Sequence, residues 1–302
     1  MNERDNLKKG NSEKQAKIAL IMSMIIFGTI GIFRKYIPLP SGMIALARGF
    51  IGMIFLLSVV KIKGSKISWK AIRENLVFLL LSGIALGFNW ILLFEAYQYT
   101  SVAVATLCYY MAPIMVILVA PVFFKEKLTG KKILRVGIAL VGMVLVSGVV
   151  GAGTSATDGG SFADLRGILL GLAAAVLYAS VMLLNKKIKD ISAYDKTIVQ
   201  LGTAGIVLVP YTLFAEDVQA VVFSPIIVIM LLIVGALHTG VAYALYFGSM
   251  KDLRAQTVAL YSYIDPIVAI VLSALVLREK VGIMEMVGAC MVLFSTLEKG
   301  KK

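Results

Sequence analysis

LCYYMAPIMVILVAPVFFKEK, residues 107–127, lies over LYSYIDPIVAIVLSALVLREK, residues 260–280, at an offset of 153. Leu107/Leu260, Tyr110/Tyr263, Pro113/Pro266, Glu126/Glu279 and Lys127/Lys280 coincide. Dropping two residues then lays Val136-Gly137 over Val287-Gly288. At the resulting offset of 151, Phe27-Gly28-Thr29 falls over Tyr178-Ala179-Ser180. Matches in this order along the chain indicate a duplication. Between the copies, GAGTSATDGGSFAD (151–164) is rich in Gly, Ser and Thr and reads as a linker.

Each copy is built from long apolar runs. Of the 302 residues, 59% are hydrophobic and only 16% are charged. Mean hydropathy is +0.90. Soluble chains carry about 45–50% apolar and about 25% charged residues. The runs are continuous and do not alternate, which excludes a membrane β-barrel. We expect an all-α membrane protein with ten transmembrane helices, near 18–35, 42–60, 75–97, 102–123, 133–150, 166–184, 197–214, 225–249, 256–277 and 282–297. Residues 1–17 form a polar, basic tail, expected to be mobile and cytoplasmic. The first five-helix repeat covers 18–150, the linker 151–165 and the second repeat 166–297, with 298–302 as the C-terminus.

The net charge of +13 comes from Lys and Arg in short clusters between the apolar runs. With a cytoplasmic N-terminus, 24 of them fall in inside segments and 5 in outside segments. That asymmetry places both termini in the cytoplasm, in a multi-pass protein of the cytoplasmic membrane. There is no basic polar domain for nucleic acid. Cys108 and Cys290 lie in apolar runs without a CxxC or Cys/His cluster, so neither a metal site nor a disulfide framework is expected. Because five is odd, the second repeat enters the membrane inverted relative to the first. Two inverted five-helix repeats with a site at the midplane are the architecture of secondary transporters.

FGT in helix 1, LAR (46–48) in helix 2, APIMVILVAPVFFKE (112–126) and DPIVAIVLSALVLRE (265–279) resemble the EamA-type family of the drug/metabolite transporter superfamily over residues 18–297. The stretch NWILLFEAYQYTSVAVATLCYYMAPI (89–114) resembles a branch common in Gram-positive bacteria. The resemblance implies transport of small organic metabolites, often outward, without nucleotide hydrolysis. No Walker-type GxxxxGK[ST] is present, and no cofactor is expected.

Ionisable side chains at membrane depth mark functional sites. Arg48, Glu95, His238 and Asp265 are the four. Arg48 and Glu95 have comparable depth near the outer side. They are either a structural ion pair or, separately, an anion site and a cation or proton site. His238 and Asp265 sit at matching depth in helices 8 and 9, where contact between them would form a proton-titrating or ammonium-binding pair. The alternatives are a neutral His238 bonded to a hydroxyl or carbonyl, and Asp265 capping a helix break. Pro113 and Pro266 each remove a backbone hydrogen bond and mark paired helix breaks. Tyr109, Tyr110, Tyr243, Tyr246, Tyr261 and Tyr263 crowd the same layer, with Asn89 and Trp90 on helix 3. Tyr261 and Asp265, four residues apart, share a helix face. Tyrosines beside acids suit an amine or zwitterion through cation–π contacts, and packing between helices is the plain alternative. Glu126 and Glu279 read as a surface charge network, and Gly83/Gly87 and Gly167/Gly171 as close-packing positions.

The resulting expectation is a secondary transporter, not an enzyme, moving an amino acid or amine by alternating access, with export implied by the resemblance. Proton coupling through Asp265, His238 or Glu95 and facilitated diffusion fit equally. Rivals are a carboxylate transporter anchored by Arg48, an intramembrane enzyme using Asp265 and His238 as acid and base, and a non-transporting sensor. The partners are a small-molecule metabolite, the bilayer and protons, and one protomer suffices to enclose the site.

Overall fold

The computed structural model describes residues 3–100, 105, 108–125, 127–146, 162–216, 223–276 and 282–296. All regular structure among them is helical. In chain order these are α1 (Glu3–Tyr36), α2 (Ser41–Ile62), α3 (Trp69–Tyr99), α4 (Ala112–Phe124), α5 (Gly130–Val146), α6 (Phe162–Lys187) and α7 (Ala193–Ala215). They continue with α8 (Pro225–Ser249), α9 (Ala255–Tyr261), α10 (Ile264–Val276) and α11 (Ile283–Thr296). Serines start three of them. Ser68, Ser192 and Ser224 accept from the backbone N–H of Ala71, Asp195 and Ile227, each satisfying an otherwise orphaned donor of a first turn. Pro225 then occupies the first turn of α8, where its missing N–H is harmless.

Five helices (α2, most of α3, most of α6, α7 and α8) are long and apolar enough to cross a bilayer, and Ala112–Phe124 is a shorter apolar helix. Large apolar side chains also cover the outside: Phe214, Val122 and Ile283 are 90%, 80% and 79% exposed. Water would penalise such a surface and lipid does not. The chain is a multi-pass membrane protein.

The structure extends the first expected span and locates the interruptions of two others. Residues 3–17 continue α1 as helix, and Glu13 pairs with Lys17 one turn on at 2.9 Å. The fourth and ninth apolar runs are not continuous helices. Residues 110–111 form a turn before α4, and residues 262–263 form a turn between α9 and α10. Glu126, Glu279, residues 151–161 of the linker and residues 297–302 lie outside the described residues.

The packing respects the duplication. α3 lies on α6 as α8 lies on α1, α3 on α7 as α8 on α2, and α4 on α6 as α10 on α1. The pairs α2–α7 and α5–α11 bring counterparts together. Gly83 and Gly87 let α3 approach α7, since a Cβ there would stand 2.8 Å and 3.0 Å from the carbonyls of Gln200 and Ala204. The main core forms where helices of both halves meet, centred on Tyr246, Phe247 and Tyr263.

Candidate functional site

FGT in α1 assigns one task to each residue. Phe27 packs edge-on against Tyr243 at 4.9 Å and Tyr246 at 6.0 Å. Gly28 lies where a Cβ would stand 2.7 Å from the carbonyl oxygen of Asp265, so only glycine lets α1 meet the start of α10 this closely. Thr29 Oγ1 is 2.7 Å from His238 Nε2 and donates its own proton to the Ile26 carbonyl at 2.7 Å. The Ile233 backbone also lies within hydrogen-bonding reach of this imidazole.

Rings connect the elements in sequence. Trp90 of α3 packs on Tyr243 of α8 at 6.1 Å and lies within hydrogen-bonding reach of its hydroxyl. Tyr243 meets Tyr246 at 6.4 Å. The Tyr246 and Tyr178 hydroxyls are 3.1 Å apart, with Ser262 in reach of both. Tyr178 of α6 stacks on Tyr109 at 5.3 Å, and Tyr109 meets Tyr110 edge-on at 5.8 Å. Tyr110 meets Tyr263 at 6.4 Å, and its hydroxyl lies within hydrogen-bonding reach of the Asp265 carboxyl. Both helix breaks contribute. Pro113 falls in the first turn of α4 and Pro266 in the first turn of α10, just after each interruption. There a proline costs no helical hydrogen bond, and the preceding tyrosines are free to leave the helical path.

Charge stands at two places around these rings. Arg48 Cζ lies 5.1 Å from the Trp90 ring centroid, and Nε donates to Thr239 Oγ1 at 3.0 Å. Among the described residues no carboxylate lies at ion-pairing distance from Arg48. Asp265 stands beside Tyr110, and Tyr243 is within electrostatic reach of both charged groups. Arg48, Asp265, Tyr109, Tyr110 and Tyr178 are all part-buried. A cleft of about 410 Å³ lies elsewhere, lined by Ala16, Phe55, Val59, Tyr194, Ala244 and Leu245 among others. Its walls are mostly apolar, with Ser12, Gln15, Ser249 and Asp252 among them, and none of the four intramembrane ionisable residues lines it.

Several expectations change. Arg48 and Glu95 do not pair. Glu95 Oε1 accepts from the Tyr211 hydroxyl at 2.6 Å, because α7 packs between α2 and α3 on that side. His238 and Asp265 share neither a hydrogen bond nor an ion pair, since α1 carries Thr29 to the imidazole. Tyr261 ends α9 and packs against the core; the turn at 262–263 breaks the register that would place it on one continuous helix face with Asp265. Asn89 is fully buried and donates to the Ala174 carbonyl at 2.7 Å, so it ties α3 to α6 and touches the rings only through the Tyr109 hydroxyl at 3.4 Å. Tyr263 is fully buried, and its hydroxyl donates to the Tyr110 carbonyl at 3.1 Å. Four contributors were not among the expected site residues: Phe27, Tyr178, Thr29 and Thr239. Phe27 and Tyr178 carried a signal, because the repeat alignment places them over one another. Thr29 belongs to the same aligned triplet, over Ser180, whereas Thr239 is a single hydroxyl in an apolar run and carries no signal alone.

Similarity to known proteins follows the same two-part division. The model of the EamA-like transporter family matches residues 15–148 and again residues 165–297. The chain is 31% identical over 277 residues to the uncharacterised transporter YxxF of Bacillus subtilis, covering 92% of this chain and 86% of that one. It is 24% identical to an uncharacterised transporter of Archaeoglobus fulgidus (94% and 96% covered) and 26% identical to one of Clostridium kluyveri (94% and 92%). A protein crystal structure superposes with a TM-score of 0.80 over 93% of this chain and 95% of its own at 15% identity, a likeness of fold.

Proposed function

Because the chain belongs to the EamA-like transporter family, we propose that this membrane transporter moves a small zwitterion of the amino-acid class by alternating access. The observation that carries this reading is the pair of poles: Arg48, with no described carboxylate beside it, and Asp265, with Tyr243 within electrostatic reach of both. A guanidinium offers a fork of donors to a carboxylate. A carboxylate flanked by tyrosine faces attracts an ammonium through charge and through the ring quadrupole. A zwitterion satisfies both poles together, and neither pole alone accounts for the other.

In this reading ten helices form two inverted repeats, and rocking of the halves exposes the site to one side at a time. The excess of Lys and Arg in the inside segments places both termini in the cytoplasm. One protomer encloses the ring cluster, so the transporter works as a monomer. Export is carried by the family resemblance alone. Asp265 is the group proposed for proton coupling, and counterflow with and without a pH gradient separates coupling from facilitated diffusion.

The test is a thermal-shift series with amino acids, their decarboxylated amines and their deaminated acids, followed by flux in proteoliposomes. A ligand that binds only the folded state raises the midpoint by mass action. Zwitterions are expected to stabilise the wild type more than either half-molecule, Asp265→Asn to remove the amine's contribution and Arg48→Gln the acid's. Acids that stabilise the protein regardless of Asp265 would instead make it a carboxylate transporter anchored by Arg48. Turnover of ligand to product in place of saturable flux would make it an enzyme.

A further inference from the structure

We propose that Thr239, presented by a π-helical turn in α8, is the positioning residue that holds Arg48 as the carboxylate-facing pole; this rests on the zwitterion reading of the same site.

Residues Val234–Val241 wind as a π-helix within α8. Such turns insert one residue into an α-helix and frequently lie at functional sites. The Thr239 hydroxyl donates to the Val234 carbonyl, five residues back, at 3.1 Å. That bond uses the only proton on the oxygen and leaves lone pairs for an incoming donor. Arg48 Nε–H supplies it at 3.0 Å. The Nε edge of the guanidinium is thereby occupied, and the plane is held with Cζ 5.1 Å from the centre of Trp90. The remaining four N–H groups of a guanidinium lie on its two Nη atoms. Among the described residues no carboxylate pairs with them, and Tyr243 and Tyr109 of the ring cluster lie within electrostatic reach of the guanidinium.

Backbone contact sets this alignment. One turn beyond Arg48, Gly52 lies where a Cβ would stand 3.0 Å from the Gly235 carbonyl oxygen and 3.1 Å from the Gly240 nitrogen. α2 therefore runs directly against both ends of the π-turn. On the other side α1 holds the turn through Thr29 and His238 at 2.7 Å. Each residue of an α-helix turns the chain by about 100°. Removing the inserted residue would therefore rotate Thr239 away from Arg48 relative to Val234. The π-turn is what allows His238 to face α1 while the next residue faces α2.

The test reads Arg48 directly, in full-length protein labelled with [15N]arginine in lipid nanodiscs. The Nε–H resonance, assigned with Arg48→Lys, is titrated with acetate and, as control, methylamine. In the wild type, acetate is expected to move the resonance and methylamine to leave it. Thr239→Val keeps the branched shape and removes the hydroxyl. It should speed Nε–H solvent exchange and raise the acetate midpoint, each by about ten- to a hundredfold for loss of a charge-assisted bond. Thr239→Ser should restore both. Gly52→Ala, which leaves hydroxyl and guanidinium intact but forces α2 off the turn, should also raise the midpoint, and it decides the matter should Thr239→Val not fold. Acetate binding and exchange unchanged in these variants overturn the positioning role while leaving the zwitterion site standing. An Nε–H that depends on Thr239 but ignores acetate in the wild type overturns Arg48 as the anion pole, and the proposal with it.

Discussion

The Tyr263 hydroxyl donates to the Tyr110 carbonyl at 3.1 Å. These tyrosines are counterparts in the two repeats, and each occupies the interruption of its own helix. A carbonyl released by a helix break needs a partner inside a membrane protein, where water is scarce. Here the other repeat supplies it. The two breaks are joined to one another, so a shift at either one is felt by the other.

Removing that hydroxyl tests the connection. Tyr263→Phe leaves the Tyr110 carbonyl without this donor and is expected to destabilise by about 1–3 kcal/mol, the penalty of a buried unsatisfied group. Thermal unfolding in nanodiscs measures it. Tyr110→Phe keeps the carbonyl and the bond, and removes instead the hydroxyl that faces Asp265, so it should impair ligand binding more than stability. Equal stability losses in both variants would contradict this division of roles.

Gly28 governs the approach of α1 to α10. A Cβ there would stand 2.6 Å from Val268 Cβ and 2.7 Å from the Asp265 carbonyl oxygen, and neither neighbour is the free end of a flexible chain. Gly28→Ala is expected to destabilise by about 1–3 kcal/mol through overpacking. It should also lengthen the Thr29–His238 contact, which the imidazole 15N shifts would register. A variant with wild-type melting and wild-type histidine shifts would show that the two helices separate freely.

Glu216 caps α2 from the opposite half. Its Oε1 and Oε2 accept from the N–H groups of Gly42 and Met43 at 2.6 Å and 2.9 Å. α2 has no side-chain cap of its own and no acid in its first turn. Glu216→Ala is expected to cost about 0.5–2 kcal/mol, the range for a lost N-cap. Amide exchange at Gly42 and Met43 should accelerate well beyond that of the α2 interior. Glu216→Gln should fall between, since an amide keeps one acceptor and loses the charge.

Two lysines close the other end of α8. Lys196 Nζ donates to the Phe247 carbonyl at 2.8 Å, and Lys186 Nζ donates to the carbonyls of Met250 and Leu253. Cations suit the last carbonyls of a helix, which are orphaned and carry the negative end of its dipole. Lys196→Met is expected to destabilise by about 1–3 kcal/mol, because buried carbonyls lose a donor. Lys63→Met, which removes an exposed bond to Tyr194, should change melting far less. Comparable losses in the two would place the effect in bulk surface charge.

The duplicated Pro113 and Pro266 announced interrupted helices, and the repeat alignment paired Phe27 with Tyr178 without marking either as part of the site. These signals are local: a missing N–H or a repeated aromatic has its meaning wherever the chain carries it. Arg48 and Glu95 show the limit. Their equal depth followed from counting residues, but whether they met depended on which helix came between them, and α7 brought Tyr211 to Glu95 while α8 brought Thr239 to Arg48.

Membrane residence, helical class, duplication and the identity of the intramembrane charges are therefore properties of the linear chain. Each follows from composition, period or spacing, and the bilayer converts apolar runs into helices without reference to neighbours. The partners of those charges are not. His238 with Thr29, Arg48 with Thr239 and Tyr110 with Tyr263 are separated by 209, 191 and 153 residues. Such contacts depend on helix rotation to within a fraction of a turn, and on glycines such as Gly28 and Gly52 whose meaning is only the backbone they meet. Directional hydrogen bonds form after packing has chosen the faces, which is why the tertiary fold alone selected them.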